Sequence, residues 1–403
     1  MSITSSVRAS KDGGMVRSSA FAVLRLIISR KRVGYSSGIE ANQIVDLVGG
    51  PCAQLGPGLF ANSEETRVRL LERRLSWRPQ IIMTSPAHNL EKKNLILVPH
   101  PGRQDWHDFE AIAHEIARMA PDIFGYIVSI DKVAQSIPRR DWRRRSLIVS
   151  FADLGRVAFP RGRVFQNAWI PKYDEYLLFT AAKVRVPFTT IFRNGKQFDC
   201  SKHGSLVVAK PTKIGSMSHG NHVFLMRRER VESIVPTLFS SQLVSDEAPI
   251  IVQDFIDTGA TPEHFRVLVL FGEPLLCFKS RSTVQRPRLD ATDAQLESGR
   301  VATNSDERAI EFVSDVEVID FARKASQAIW WIPLQGLDII REATTGALYV
   351  LESNPGGNTW AFSSQLGERL RKLVGGAEPL KNQFGAWTIA AKALIRATRS
   401  YAA

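Results

Sequence analysis

From residue 91 onward, short apolar blocks alternate with polar breaks, and the period of each block predicts an element. Asn94-Leu-Ile-Leu-Val98 reads as a buried strand ending in Pro99-His-Pro-Gly102. Asp105 through Ala120 has the spacing of an amphipathic helix, Gly125-Tyr-Ile-Val-Ser-Ile130 that of a second strand, and Leu147-Ile-Val-Ser150 that of a third. Strands alternating with a helix predict a small α/β unit over 91–168. Residues 1–90 show no such regularity. They are basic and turn-rich, and the glycines of Gly49-Gly-Pro-Cys-Ala-Gln-Leu-Gly-Pro-Gly58 match no phosphate-binding fingerprint. The apolar stretch Ala20 to Ile28 is broken by Arg25 and is too short to span a bilayer.

The second half carries a denser pattern. A helix is predicted from Asp174 to Lys183, just after Lys172 and stopping before Val186-Pro187. The strand Leu206-Val-Val-Ala-Lys210-Pro places Lys210 at its exit. Gly215-Ser216-Met-Ser218-His-Gly220 follows, dense in small residues and backbone donors able to approach phosphate closely. Ile250 to Ile256 is an apolar strand interrupted by Gln253 and Asp254. His264-Phe-Arg266 and Lys279-Ser-Arg281 flank Gly272-Glu273, which read as a type II′ hairpin loop. That register sets Arg266 against Lys279 and His264 against Arg281, four basic groups on one face, which calls for an anion between them.

Leu348-Tyr-Val-Leu-Glu352-Ser-Asn354-Pro-Gly-Gly-Asn-Thr359 ends an apolar strand with a carboxylate and an amide on one face. With Thr344, Thr345 and Gly346 as a three-residue hairpin loop, Asp338 falls opposite Glu352. Asp338, Glu352 and Asn354 then form a hard-oxygen cage of the kind that suits Mg²⁺ when phosphates supply further ligands, with Mn²⁺ as the alternative ion. Gly356 to Thr359 would form part of a substrate wall. Finally, Phe384 to Tyr401 has apolar residues at helical spacing. Packing on the body is the expected outcome, with a dimer contact or a membrane surface as alternatives.

The 403 residues allow two or three domains, and 44% hydrophobic with 23% charged residues fits a globular chain. A net charge of +13 favours anionic partners. The densest basic run, Arg139 to Arg145, contains one Trp, too little for a base-stacking platform, so nucleic acid is disfavoured and a solvated loop expected. His107, Glu110 and His114 read as a polar helix face rather than a metal site. Cys52, Cys200 and Cys277 offer no disulfide framework, which points to a reducing, cytoplasmic compartment.

The ordered set Lys172, Lys210 with its Gly/Ser loop, Gln253 to Ile256, Arg266, Asp338, Glu352 and Asn354 resembles the ATP-grasp superfamily. The branch it resembles is that of ribosomal-protein glutamate ligases and glutathione synthetases. The resemblance implies an α/β ATP-grasp core over 169–372, preceded by a pre-ATP-grasp domain at 91–168 and followed by a C-terminal helix in 373–403. It implies that Lys172 and Lys210 hold ATP phosphates under the 215–220 loop. Gln253 and the backbone of Asp254, Phe255 and Ile256 would meet the adenine, and Glu263 or His264 the ribose. Arg266 with Lys279 or Arg281 would neutralise the reacting phosphoryl group, and Asp338, Glu352 and Asn354 would bind Mg²⁺. The implied activity is ADP-forming ligation of a small-molecule or peptide carboxylate to an amine or thiol through an acyl phosphate. A small-molecule kinase and a non-catalytic nucleotide-binding protein are the alternatives.

Overall fold

A computed structural model describes residues 91–402, except 131, 133–135, 153, 155–159, 161, 194–195, 212–221, 239–249, 300, 302–306, 357–358 and 366. The expectations for 1–90, Cys52, the Gly215, Ser216, Ser218 and Gly220 loop, Gly357 and Asn358 lie outside these residues. Among the described residues no helix is long and apolar enough to cross a membrane.

The chain opens with β1 (Lys93–Val98), α1 (Trp106–Met119), β2 (Ile123–Ile127), β3 (Ser146–Ser150) and β4 (Gly162–Gln166). These strands form a parallel sheet in the order β2-β1-β3-β4. β1 is buried on both faces, as its unbroken apolar run requires. Asp105 caps α1 by accepting the His107 N–H. His107 itself is exposed and pairs with Glu110 at 2.8 Å, as a solvated face should.

A second sheet is antiparallel. After α2 (Lys172–Ala181) come β5 (Thr189–Phe192), β6 (Leu206–Pro211), β7 (Phe224–Arg227), α3 (Val231–Leu238) and β8 (Ile250–Asp254), with strand order β5-β8-β6-β7. The largest sheet, also antiparallel, is built from β9 (Glu263–Leu270), β10 (Glu273–Ser282), β11 (Arg308–Phe312), β12 (Leu334–Arg341) and β13 (Leu348–Pro355), in the order β11-β10-β9-β12-β13. α4 (Asp293–Ser298) lies between β10 and β11, and α5 (Val316–Ala328) between β11 and β12. α6 (Glu368–Val374), α7 (Glu378–Asn382) and α8 (Ala386–Tyr401) end the chain. The architecture is mixed α/β.

One face of the large sheet (Phe265, Val267, Val269, Cys277) shares a core with α2 and α5. The other (Leu268, Leu270, Leu276) joins a core that runs through Trp360 and α8 into the first sheet. Trp360 is fully buried, stacks on Phe109 at 5.3 Å and donates to Asp108 at 2.8 Å. α8 therefore packs within the chain. Arg399 pairs with Asp122, and Lys93 donates to the Arg399 carbonyl at 3.0 Å.

Two hairpins differ from their expected form. Phe271 and Gly272 make the β9–β10 turn, both with positive φ (47° and 84°), which is a type I′ loop. A bulge between Pro274 and Leu276 then shifts the register. The net displacement is one residue, which turns β10 over relative to β9. Arg266 faces Phe278 and His264 faces Ser280, while Lys279 and Arg281 face Phe265 and Glu263 on the opposite side. The expected grouping of Arg266 and His264 with Lys279 and Arg281 on one face is thus corrected.

The β12–β13 turn spans 343–346 rather than three residues, since the Glu342 N–H donates to the Ala347 carbonyl. A bulge after Val350 restores the lost register, so Asp338 still faces Glu352. Gly346 takes the expected left-handed φ of 72°.

Candidate active site

Asp338 sits mid-strand on β12 between Arg266 on β9 and Glu352 on β13. Arg266 grips it with both arms of its guanidinium, Nε to Oδ1 at 2.5 Å and Nη2 to Oδ2 at 2.9 Å. Such a fork fixes geometry as well as charge. Asn354 projects from the same face and donates Nδ2 to Asp338 Oδ2 at 3.1 Å and to Glu352 Oε1 at 3.4 Å. The expected trio is therefore assembled.

One lysine reaches this trio from outside the large sheet, and a second acts on it as a neighbouring charge. Lys172, in the first turn of α2, donates Nζ to Glu352 Oε2 at 2.6 Å. Lys210, on β6, donates to Gln253 Oε1 at 2.9 Å, and Gln253 donates in turn to Thr189 Oγ1 at 3.0 Å. Lys172, Tyr176, Thr189, Lys210, Gln253 and Leu351 are among the residues lining one small cavity between the two sheets.

The electrostatics follow from this crowding. Burial and the neighbouring Lys172 bring the Lys210 ammonium down to about 8. Burial works against charge on Glu352 as well, yet Lys172 and Lys210 outweigh it and hold that carboxyl at about 2. Asp338 is pushed up by burial and by Glu352, against the pull of Arg266. Burial and Arg266 force His264 down to about 3, so its imidazole is neutral; its Nε2 lies 3.9 Å from Asp338.

Other expected residues are placed differently. The Asp254 side chain pairs with buried His203 at 2.7 Å, and the N–H groups of Asp254 and Phe255 donate to Phe188 and Leu206 within the sheet. Glu263 pairs with Arg281 at 2.8 Å and Lys279 with Glu311 at 3.5 Å, both on the face of the large sheet away from Arg266.

Three groups at the site escape a reading of the sequence alone. Glu175, one turn into α2, is buried and accepts the Ser353 N–H at 3.4 Å, between Glu352 and Asn354 of β13. Gly336 leaves no room for a side chain, because a Cβ there would come within 1.9 Å of Thr359 Oγ1 and 3.2 Å of Arg266 Nη1. Arg308 on β11 is on the Arg266 face, opposite Ser282, and donates to Ser280 Oγ at 3.2 Å. Only the correct β10 register reveals it.

For a metal ion, the donors are the Asp338 and Glu352 carboxylates and the Asn354 amide oxygen. This all-oxygen set fits a hard divalent cation. Among the described residues no cluster of three or more His, Cys, Asp or Glu side chains competes for that role.

No protein-family model matches the chain, and no curated protein does. Among solved structures, a D-alanine–D-alanine ligase from Bacillus anthracis aligns with 77% of this chain and 99% of its own, at 11% identity and a TM-score of 0.40. The ATP-grasp ligase PsnB complexed with minimal precursor aligns with 75% and 99%, at 14% identity and a TM-score of 0.43. The macrocyclase MdnC from Microcystis aeruginosa MRC, bound with precursor peptide MdnA, aligns with 75% and 99%, at 11% and 0.40.

Proposed function

We propose that this chain is a Mg·ATP-dependent ligase of the ATP-grasp type, joining a carboxylate to an amine. The observation that carries the proposal is the convergence of Lys172 and Lys210, from separate elements, on a Glu352–Asp338–Asn354 trio locked by Arg266. Isolated buried charges are costly, and a cluster of both signs held in a cleft is most simply explained by a polyanion with its metal.

In this reading ATP lies between the two antiparallel sheets, with its phosphates toward Lys172 and Lys210. Asp338, Glu352 and Asn354 would hold Mg²⁺, with Mn²⁺ as the alternative ion, and the metal when bound neutralises phosphate charge. The substrate carboxylate oxygen attacks the γ-phosphorus, the bond to the β-phosphate oxygen breaks, and ADP leaves. The amine then attacks the acyl phosphate, forming the C–N bond, and inorganic phosphate departs with the amine's proton released to phosphate or solvent. Lys172 and Lys210 hold the two anions together against their repulsion, and Arg266 keeps Asp338 aimed. No Ser-His-Asp or Cys-His machinery is required.

The test is ADP release with Mg·ATP against amino acids, short peptides and acidic metabolites, with and without hydroxylamine. Hydroxamate formed on one carboxylate supports the ligase. ADP with a stable phosphorylated product points to a kinase and overturns it.

A further inference from the structure

Every carboxylate oxygen of the Asp338–Glu352 pair carries a nitrogen donor. Asp338 Oδ2 accepts from Arg266 Nη2 and Asn354 Nδ2, and Oδ1 from Arg266 Nε. Glu352 Oε2 accepts from Lys172 Nζ at 2.6 Å, and Oε1 from Asn354 Nδ2 at 3.4 Å. The Asn354 amide therefore turns its N–H groups, not its oxygen, toward both carboxylates. Two lone pairs per oxygen leave Asp338 Oδ2 saturated and Glu352 Oε2 with one position to spare. An ammonium and a divalent cation sharing Oε2 would stand about 4 Å apart and repel each other.

The two cationic partners are held differently. Arg266 lies opposite Asp338 in the same sheet and grips it with a planar fork. Lys172 comes from the first turn of α2 and makes a single contact through a flexible stem. Of the two, Lys172 is the one that can yield. It also lines the cavity shared with Lys210, Tyr176 and Gln253, so its ammonium has a second destination beside an anion bound there.

We infer that Lys172 competes with the divalent cation for Glu352 and gives way when a polyphosphate draws its ammonium into the cavity, so that metal and nucleotide bind with positive coupling through this one side chain. This rests on the ligase reading above and adds to it the link between its two ligands.

The experiment follows Mn²⁺ binding to the full chain by electron paramagnetic resonance, without nucleotide. Wild type, Lys172→Met, Lys172→Gln, the double variant Lys172→Met with Glu352→Gln, and Lys279→Met on the opposite face of the large sheet are compared. Lys172→Met should bind Mn²⁺ roughly ten- to a hundredfold more tightly than wild type, the span expected from removing a competing charge-assisted contact. Misfolding does not produce a gain of this kind. Lys172→Gln, which keeps a neutral donor, should show part of the gain. Adding Glu352→Gln should cancel it, which places the ion at that carboxylate, and Lys279→Met should match wild type. AMPPNP is then titrated into the same samples with and without Mn²⁺. The factor by which Mn²⁺ strengthens nucleotide binding should shrink in Lys172→Met by about the same tenfold or more, because linked affinities change reciprocally. Mn²⁺ binding no tighter in either Lys172 variant, a gain that survives Glu352→Gln, an equal gain in Lys279→Met, or an unchanged coupling factor overturns the inference. Absence of AMPPNP binding in wild type defeats the ligase reading, and the nucleotide-free series tells that failure apart from failure of the Lys172–Glu352 competition.

Discussion

Arg266 and Asp338 face each other across β9 and β12 and share two hydrogen bonds, so the guanidinium sets the orientation of the carboxylate that the metal would need. Lysine lacks the fork. Arg266→Lys should therefore lower turnover by about 10²–10³-fold, comparable to removing one preorganised hydrogen-bond donor to a transition state. It should also raise the Mg²⁺ concentration needed for half-maximal rate. Steady-state rates at varied Mg²⁺ check this, and an unchanged Mg²⁺ requirement counts against the assigned role.

Lys210, held at about 8, makes nucleotide binding pH-dependent. In the empty protein its ammonium deprotonates as pH rises through 8, and bound polyphosphate restores the proton. Binding near pH 8 should therefore take up protons, and affinity should fall above pH 8 by up to about tenfold per unit. Calorimetry in buffers of different ionisation enthalpy reads the uptake directly, and Lys210→Met should eliminate it.

Glu175 is expected to make stability fall as pH rises. Burial and the nearby Glu352 raise its folded-state pKa well above the ordinary 4.5. The folded protein then holds a proton that the unfolded chain gives up, so stability declines from about 4.5 upward until the folded pKa is passed. Glu175→Gln keeps the side chain's shape without the charge. The variant should be at least as stable as wild type at neutral pH and should lose that part of the slope, as melting temperatures between pH 4 and 8 would show.

Segment 283–299 ties the large sheet to the small one. Arg227 on β7 pairs with Asp293 of α4 at 2.9 Å, Leu296 packs with Leu225, and half-buried Arg286 pairs with Asp257 at 2.6 Å. Leu296→Ala should cost about 2–5 kcal/mol. Hydrogen exchange should report the loosening first in β6 and β7, the strands bearing Leu206, Val208 and Leu225; exchange that rises equally in β1–β4 would contradict this.

Gly336→Ala should force Thr359 and Arg266 apart, since both approach the position where its Cβ would stand. Overpacking of this kind costs about 1–3 kcal/mol. Activity should fall further than stability alone explains, because Arg266 moves. Thermal denaturation and turnover measured on one preparation separate the two effects.

How much of this is legible in the sequence depends on the kind of signal. The strand periods of β1 and β3 and the helical spacing of α1 identify those elements from local pattern alone. Glu352 and Asn354 share a face because they are two apart on a strand, whatever lies opposite. A three-residue loop, one residue shorter than the actual turn, still places Asp338 opposite Glu352 because the bulge after Val350 compensates. No compensation of that kind occurs in β10. There a type I′ turn and the bulge beside Pro274 leave a net shift of one, sending Lys279 and Arg281 to the far face and hiding Arg308. Bulges depend on packing between strands, which local patterns do not encode. Glu175 escapes for a related reason: a carboxylate in the first turn of a helix ordinarily reads as a dipole-stabilising surface group.

The most direct measurement is calorimetric titration of AMPPNP into the full chain, with and without Mg²⁺, for wild type, Lys210→Met and Asp338→Asn. The account predicts Mg²⁺-dependent binding at a single site. Lys210→Met should weaken it at least about tenfold, as removal of a charge-assisted hydrogen bond implies, and Asp338→Asn should strip it of its Mg²⁺ dependence. Absence of binding in wild type, or binding indifferent to both substitutions, would contradict it.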